Sequence, residues 1–396
     1  MHHKPVSEWV RFGLLNLMLV AVLGVLMRYN MVFALPWFDQ RNLLHAHSHF
    51  AFSGWLSHLL YVFLPALLQT GSFSVQRKYR WLILANLITS YGMLIAFALQ
   101  GYKGISIAFS TLNLLTGITY AWIFIRDSRG LRQPAVRCAI AGLISAIISA
   151  LGPFSLAWQM ATHQNNADLY TGSVYFYLHF QYNGWFFFGL MALIIHFFGI
   201  GHRLNRSFYF FVLTLIPTVI LSLLWIELPN WLYGIVTAAT LVQLAGCVLW
   251  MKVLWGLASE AQGDIPFWVK VALVVAASAI ALKFFFQTLM LLPSVSELAL
   301  GFRPIVIAYL HLVLLAGYSL FLVGFLYVKG FIAKSKITGW SVSLLIMGIL
   351  FNELLLGLQA GIPLSGIYIP FTAEGLLLAA GTMLTGAAGL FLGQFR

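Results

Sequence analysis

Five histidines stand near the starts of three apolar segments, and their spacing could support metal or haem chemistry. The chain has 11 histidines, and three of them, His45, His47 and His49, open the second apolar segment in the string RNLLHAHSHFAFSGW. His179 lies early in the sixth segment and His311 early in the tenth. Because neutral imidazole is a ligand for metal ions and for haem iron, these positions predict a metal or haem site.

The segments that carry these histidines are long enough to cross a membrane. Of the 396 residues, 61% are hydrophobic and 8% are charged, whereas a soluble domain carries about 25% charged residues. Lipid-exposed backbone must satisfy its own hydrogen bonds, so long apolar runs predict an all-α, polytopic membrane bundle. Twelve runs qualify, namely 9–29, 45–69, 80–101, 104–125, 136–160, 172–199, 206–226, 231–257, 266–291, 304–328, 340–361 and 371–393. Their short connections predict one transmembrane domain over 1–396.

The distribution of basic residues predicts how the bundle is oriented. The net charge is +12, from 22 Lys and Arg against 10 Asp and Glu. Basic loops beside an anionic membrane face explain this excess, so the lipid bilayer is the expected partner and no nucleic acid is expected. With the N-terminus inside the cell, 17 of the 22 fall on the inner side. The outer side holds Arg28, Arg41, Lys103 and Arg303. This bias predicts a multi-pass protein of the cell (inner) membrane with both termini cytoplasmic.

In that orientation the histidine-bearing helices 2, 6 and 10 all run from outside to inside. His179 and His311 then lie at a similar depth, about 10 Å below the outer boundary at about 1.5 Å per residue. His45 and His49 are four residues apart and share a helix face, while His47 points elsewhere. Imidazoles from three helices in one layer suit a haem or metal site. The alternative is that each histidine simply hydrogen-bonds to a loop or to a neighbouring helix.

A short motif repeats after two of these histidines. Residues 49–55 (HFAFSGW) and 179–185 (HFQYNGW) share the pattern His-Phe-x-x-x-Gly-Trp, and His311 is followed more loosely by Gly317 and Tyr318. Small residues beside a ligand allow helices or a flat macrocycle to approach closely.

Three further ionisable residues lie in or beside the predicted spans. Lys283 is in predicted helix 9, Glu353 is in helix 11, and Glu374 opens helix 12. Lys283 and Glu353 are candidates for an ion pair, which would lower the cost of burying each charge. The alternative is a proton path or a substrate site that includes Glu374.

Two outer-side arginines lie close in sequence to the histidines. Arg41 precedes His45, and Arg303 precedes His311. Both are candidates to hold the propionates of a haem, since a guanidinium pairs well with a carboxylate. Otherwise they are interface anchors.

Twelve helices with histidines early in helices 2, 6 and 10 resemble subunit I of the haem–copper oxidase and nitric oxide reductase superfamily. Chain size and the Leu-His-Ala-His opening of helix 2 are also similar to the membrane haem–copper proteins linked to nitric oxide stress. The resemblance implies a cytochrome oxidase subunit I-like fold with a b-type haem held by His311 and by His45 or His49. It also implies that His179, with His47 and His49, could hold copper or a second iron.

The chain departs from the superfamily at residues that oxygen reduction requires. Tyr309 stands where the ligand of the high-spin haem is expected, helix 7 (SFYFFVLTLIPTVILSLLW) has no histidine, and the paired arginines between helices 11 and 12 are missing. A full oxygen-reducing binuclear centre is therefore not expected. Electron transfer, or binding of a diatomic gas such as NO or O2, with an electron donor or partner subunit, fits the pattern. The alternative is a non-haem membrane transporter or assembly factor that uses Lys283 and Glu353.

Overall fold

The structure is a computed structural model, and it describes residues 6–33, 35–70, 73–164, 166–260, 265–365 and 370–395, with backbone alone over 360–365. Within these ranges every regular element is a helix. Eleven of the described helices are long and apolar enough to cross a membrane, and one bent pair makes a twelfth. The prediction of a multi-pass helical membrane bundle is confirmed at this level.

The twelve spans, numbered α1 to α12, begin and end within a few residues of the predicted ones. They are α1 (Val6–Phe33), α2 (Gln40–Leu68), α3 (Arg77–Gln100), α4 (Gly104–Asp127), α5 (Pro134–Ala161), α6 (Ala167–Phe198), α7 (Gly201–Thr214 with Pro217–Leu223), α8 (Asn230–Glu260), α9 (Phe267–Leu289), α10 (Arg303–Val328), α11 (Lys336–Ser365) and α12 (Thr372–Phe395). A short helix over Pro293–Gly301 precedes α10 and was not predicted.

The span α7 is bent, whereas the hydropathy pattern predicts one continuous helix over 206–226. Its two halves meet at an angle of 53°. Pro217 has no N–H to donate and its ring crowds the preceding turn, so the helix breaks there. The Thr218 hydroxyl donates to the Thr214 carbonyl at 2.7 Å, which supplies part of the hydrogen bonding that the break removes.

A wide turn of π-helix follows the histidines of α2, α6 and α10. These segments span Ala51–Ser57, Phe180–Phe186 and Leu312–Ser319. Each contains the glycine and the aromatic residue of the repeated motif. A π-helical turn inside an α-helix disturbs the regular i to i−4 ladder and is frequent at functional sites.

Polar side chains from neighbouring helices serve the carbonyls of the π segment in α2. Asn16 of α1 donates to the Gly54 carbonyl at 2.5 Å, and Asn86 of α3 donates to the Ser53 carbonyl at 3.0 Å. The Tyr91 hydroxyl in turn donates to Asn16 Oδ1 at 2.6 Å. These bonds connect α1, α2 and α3 at membrane depth, where water is not available to satisfy an unpaired carbonyl.

The chain forms two compact units whose segments alternate along the sequence. The first comprises Met1–Tyr120, Ile265–Ala276 and Leu310–Arg396, and the second comprises Ala121–Asp264 and Ala277–Tyr309. In the first unit α2 is the most enclosed span, with 89% of its most apolar stretch buried; in the second unit α6 holds that place, with 94%. The single transmembrane domain over 1–396 stays a prediction.

Candidate functional site

The three histidines of α2 point to two different faces. The His49 Nε2 hydrogen-bonds with the Tyr102 hydroxyl at 2.8 Å, and the His49 ring stacks on Phe97 with centroids 4.5 Å apart. The His45 ring meets Tyr102 edge-on at 4.6 Å. The predicted common face of His45 and His49 is therefore confirmed, and it is directed to α3 and the loop after it.

His47 turns to α1 instead. Its Nδ1 lies 3.1 Å from the Val20 carbonyl oxygen. Because a carbonyl only accepts, Nδ1 carries the proton, and in the neutral ring Nε2 keeps its lone pair. Gly24 lies one turn further along α1, where an added Cβ would stand 3.7 Å from the His47 Cε1. The His47 ring thus rests on a side-chain-free patch of α1 with one nitrogen anchored.

His311 and Arg28 belong to the same neighbourhood of the first unit. Both interact electrostatically with the His47 ring. All three side chains are partly buried. Arg28 follows Gly24 by one helical turn, so Val20, Gly24 and Arg28 form one face of α1. The sequence analysis counted Arg28 only among the outer basic residues, although the spacing of these three residues was available as a signal.

The pairing of His311 with a histidine of α2 stays a prediction. Sequence analysis pairs His311 with His45 or His49, and neither pairing is tested by the contacts of these residues. The charge of His311 acts on the His47 ring, while His45 and His49 contact Tyr102. His47 is therefore a candidate beside His45 and His49, and the pairing of His311 stays a prediction.

The two arginines predicted to hold propionates lie at helix starts. Arg41 and Arg303 are both exposed, in the first turns of α2 and α10. The Arg41 backbone N–H donates to Asp39 Oδ1 at 2.8 Å as part of the N-terminal cap of α2. Their role as propionate partners stays a prediction.

His179 lies in the second unit, where both of its ring nitrogens are engaged. Its Nε2 lies 2.8 Å from the Leu215 carbonyl oxygen, at the break in α7, and its Nδ1 lies 3.1 Å from Asn183 Nδ2. The carbonyl requires Nε2 to donate, so Nδ1 accepts from the amide. A metal ion at His179 would have to displace one of these partners, and the metal role of His179 stays a prediction.

Among the residues that the structure describes, no three His, Cys, Asp or Glu side chains form a group that could hold a metal ion. The copper or second-iron site composed of His179, His47 and His49 has no such group to support it and stays a prediction. The two cysteines, Cys138 and Cys247, are buried free thiols.

Lys283 of α9 is fully buried in the second unit. Its Nζ donates to Gln287 Oε1 at 2.7 Å and lies 3.7 Å from the centroid of the Phe284 ring. Its partners are thus a neutral amide and an aromatic face. A buried ammonium with such partners is costly in a membrane span and marks a functional candidate.

The two acidic candidates differ in burial. Glu353 of α11 is partly buried and accepts from Asn352 Nδ2 at 3.2 Å. Glu374 is exposed in the first turn of α12. The ion pair between Lys283 and Glu353 and the proton path through Glu374 stay predictions.

No protein-family model matches the sequence, and no curated protein matches it. The resemblance to the haem–copper oxidase superfamily therefore depends on the pattern of helices and histidines, and membership of that superfamily stays a prediction.

Proposed function

We propose that this chain is an integral membrane haem-binding protein, in which His47 and His311 would hold the iron of a b-type haem in the first unit. The observation that carries the proposal is the hydrogen bond between His47 Nδ1 and the Val20 carbonyl at 3.1 Å. In metal and haem sites, such a bond fixes the tautomer and the ring orientation of a ligating histidine and leaves Nε2 for the metal. His311 is proposed as the second imidazole because its charge acts on the His47 ring.

The surroundings of His47 fit a haem in chemical terms. A cluster of buried apolar residues packs between α1, α2 and α3 of the first unit: Leu23, Leu43, Ala46, Met93 and Phe97. Ala46 precedes His47 in the chain, whereas Phe97 stacks on His49 on the other face of α2. A macrocycle needs apolar contacts of this kind, and its carboxylates need cations; Arg28 is a partly buried cation whose charge acts on the His47 ring. Two neutral imidazoles are also a usual ligand set for a low-spin haem iron.

Such a haem, when bound, supplies one-electron transfer or binding of a diatomic gas. The hydrogen bond to the Val20 carbonyl holds the His47 ring in one orientation. Because two histidines would hold the iron, this ligand set favours electron transfer with a donor or partner subunit over binding of NO or O2. The missing ligands of the superfamily, above all at Tyr309, argue against full oxygen reduction.

The same proposal includes the finer fold and the location. Histidines early in α2, α6 and α10 support a cytochrome oxidase subunit I-like arrangement. The excess of Lys and Arg on one side supports the cell (inner) membrane with cytoplasmic termini.

The test is an optical spectrum of the full-length protein purified in detergent, oxidised and then reduced with dithionite, with metal analysis of the same sample. We expect the sharp reduced bands of a six-coordinate b haem in the wild type, and their loss in His47→Ala and His311→Ala. His45→Ala and His49→Ala are matched controls from the other face of α2 and should keep the bands. Loss in His49→Ala with retention in His47→Ala would return the ligand role to His49. A featureless wild type, from cells supplied with haem, would overturn the proposal.

A transporter or assembly factor without haem is the second candidate, and the burial of Lys283 favours it. An ammonium that is fully buried in a span is typical of a substrate or proton path. In that case Lys283→Met and Glu353→Gln would abolish transport in proteoliposomes. If the same variants leave transport unchanged, Lys283 has a structural role.

A further inference from the structure

A cavity of about 210 Å³ lies in the first unit, where α1 begins and where α10 and α12 end. At about 30 Å³ for one water molecule, this is room for a phosphoryl group and the atoms attached to it. Because it lies at the ends of three spans, the cavity is at the depth of the lipid headgroups. Its walls come from three elements, namely Ser7, Val10 and Arg11 of α1, residues 330–333 between α10 and α11, and Gln394 of α12.

The connection between α10 and α11 forms a wall of fixed shape. The Phe331 N–H donates to the Leu326 carbonyl at 2.8 Å across the end of α10, as in a Schellman motif. Gly330 lies between them with a φ of +73°, which glycine adopts without steric cost. Gln394 of α12 then holds the connection, because its Oε1 accepts from the Ala333 N–H at 2.8 Å. The wall of the cavity is therefore pre-organised.

Arg11 is the charged group of the cavity, and the described residues that line it include no carboxylate. Its Nη2 donates to the Gln394 carbonyl at 3.3 Å, and its guanidinium carbon lies 5.1 Å from the centroid of the Phe395 ring. The ion pairs that described residues form with one another do not include Arg11. Since a guanidinium has five N–H donors, Arg11 keeps donors for an anion.

The surroundings of Arg11 favour an anion that belongs to a lipid. Lys334 and Lys336 follow the wall of the cavity in the chain, and both are exposed. Phe331 and Ile332 give the cavity an apolar part beside the guanidinium. A phospholipid presents a phosphate together with glycerol and acyl carbons, whereas a free phosphate has no apolar part. Basic pockets between spans at the cytoplasmic face bind anionic lipid headgroups.

We propose that this cavity binds the headgroup phosphate of an anionic phospholipid, with Arg11 as its charged contact. Ser7 lies one turn before Arg11 on the same face of α1 and supplies a hydroxyl as a second donor. The lipid belongs to the leaflet on the side where α1 begins, which the basic residues predict to be the cytoplasmic one. The site is independent of the haem proposed above.

The test uses the full-length protein in detergent micelles that contain equal amounts of phosphatidylglycerol and phosphatidylcholine. Native mass spectrometry counts the lipids that each chain retains. The wild type should retain one phosphatidylglycerol in preference to phosphatidylcholine. Arg11→Gln should lower this preference about fivefold, the effect of one basic side chain near an anionic surface, and Arg11→Lys should keep most of it. Ser7→Phe should also lower it, because the ring fills the cavity and leaves the charge in place.

Arg77→Gln is the matched control, because Arg77 is exposed at the start of α3 and does not line the cavity. It should keep the wild-type preference. An equal loss in Arg77→Gln, or the full preference in Arg11→Gln, would indicate general attraction of lipid to basic helix ends and would overturn the site. Ser7 is exposed, so Ser7→Phe tests the cavity even where Arg11→Gln does not fold, and full retention in this variant would also overturn the site.

Inorganic phosphate separates the two sources of the anion. Added to the wild type at the concentration of the lipid, it should leave the phosphatidylglycerol bound. Displacement of the lipid would identify a site for soluble phosphate and overturn the lipid assignment. Equal retention of phosphatidylglycerol and phosphatidylcholine by the wild type would overturn it as well.

Discussion

At the scale of single residues, the hydrogen bond at one ring nitrogen decides what a histidine can do with the other. His47 donates from Nδ1 to Val20 and retains a lone pair, whereas His179 uses both nitrogens, toward Leu215 and Asn183. The sequence places both residues near the starts of their apolar segments. It could not separate them, because the tautomer depends on partners from α1 and α7 that are distant in sequence.

This difference predicts the behaviour of His179→Phe. The variant should keep the haem spectrum and lose about 1–2 kcal/mol of stability, because the Leu215 carbonyl loses a buried donor. Chemical unfolding in detergent measures the loss. His202→Phe is the control, because His202 is exposed at the start of α7. Loss of the haem bands in His179→Phe would indicate that His179 is a haem ligand.

A second prediction concerns the lysine of α9. Lys283→Met should be at least as stable as the wild type, because Met preserves the packing on Phe284 and removes a buried amine. Gln287→Leu should be less stable by about 1–3 kcal/mol, since it takes away the acceptor of the Lys283 ammonium. Unfolding curves of both variants check this. A Lys283→Met protein as unstable as Gln287→Leu would show that the amine itself stabilises the fold.

At the scale of elements, the sequence predicts one property of the motif that α2 and α6 share, namely close approach at its glycine. The prediction that small residues allow close approach is confirmed at Gly184, where an added Cβ would collide with Ser145 of α5. The π-helical turns were not predicted. Hydropathy is the same for an α- and a π-helical turn and therefore does not distinguish them. In α2, Asn16 and Asn86 of neighbouring helices donate to carbonyls of the π segment.

The π segment of α2 therefore predicts a stability cost when its donors are removed. Asn86→Leu should destabilise the protein by about 1–2 kcal/mol, because the Ser53 carbonyl and Asn113 both lose a partner. Unfolding in a mixed detergent series measures the effect. Thr119→Val is the control, since the exposed Thr119 hydroxyl bonds only to the Leu115 carbonyl of its own helix. Equal stabilities of the two variants would argue against the role of Asn86.

At the scale of the whole molecule, hydropathy predicts the spans well. The fourth run, predicted at 104–125, is observed as Gly104–Asp127. The bend of α7 and the short helix Pro293–Gly301 were not predicted, and the two alternating units do not test the predicted single domain. A sliding average of hydropathy records composition along the chain, whereas these features depend on a single proline or on contacts between distant segments.

The orientation of the bundle gives a prediction at this scale. In intact cells a membrane-impermeant maleimide should label Lys103→Cys, and it should label Lys334→Cys only after permeabilisation. Both positions are exposed, and the native Cys138 and Cys247 are buried, which keeps the background low. Labelling in the reverse order would place the termini outside.

The π segments also have a consequence for the ancestry of the chain. His179 follows His49 by 130 residues, His311 follows His179 by 132, and a π-helical turn begins within two residues after each of the three. Every fourth span thus carries the same histidine and the same irregular turn. Successive duplications of one four-helix gene segment would leave this interval. In such a history the turn is older than any present use of its histidine, and the middle copy turned its imidazole to a carbonyl in α7.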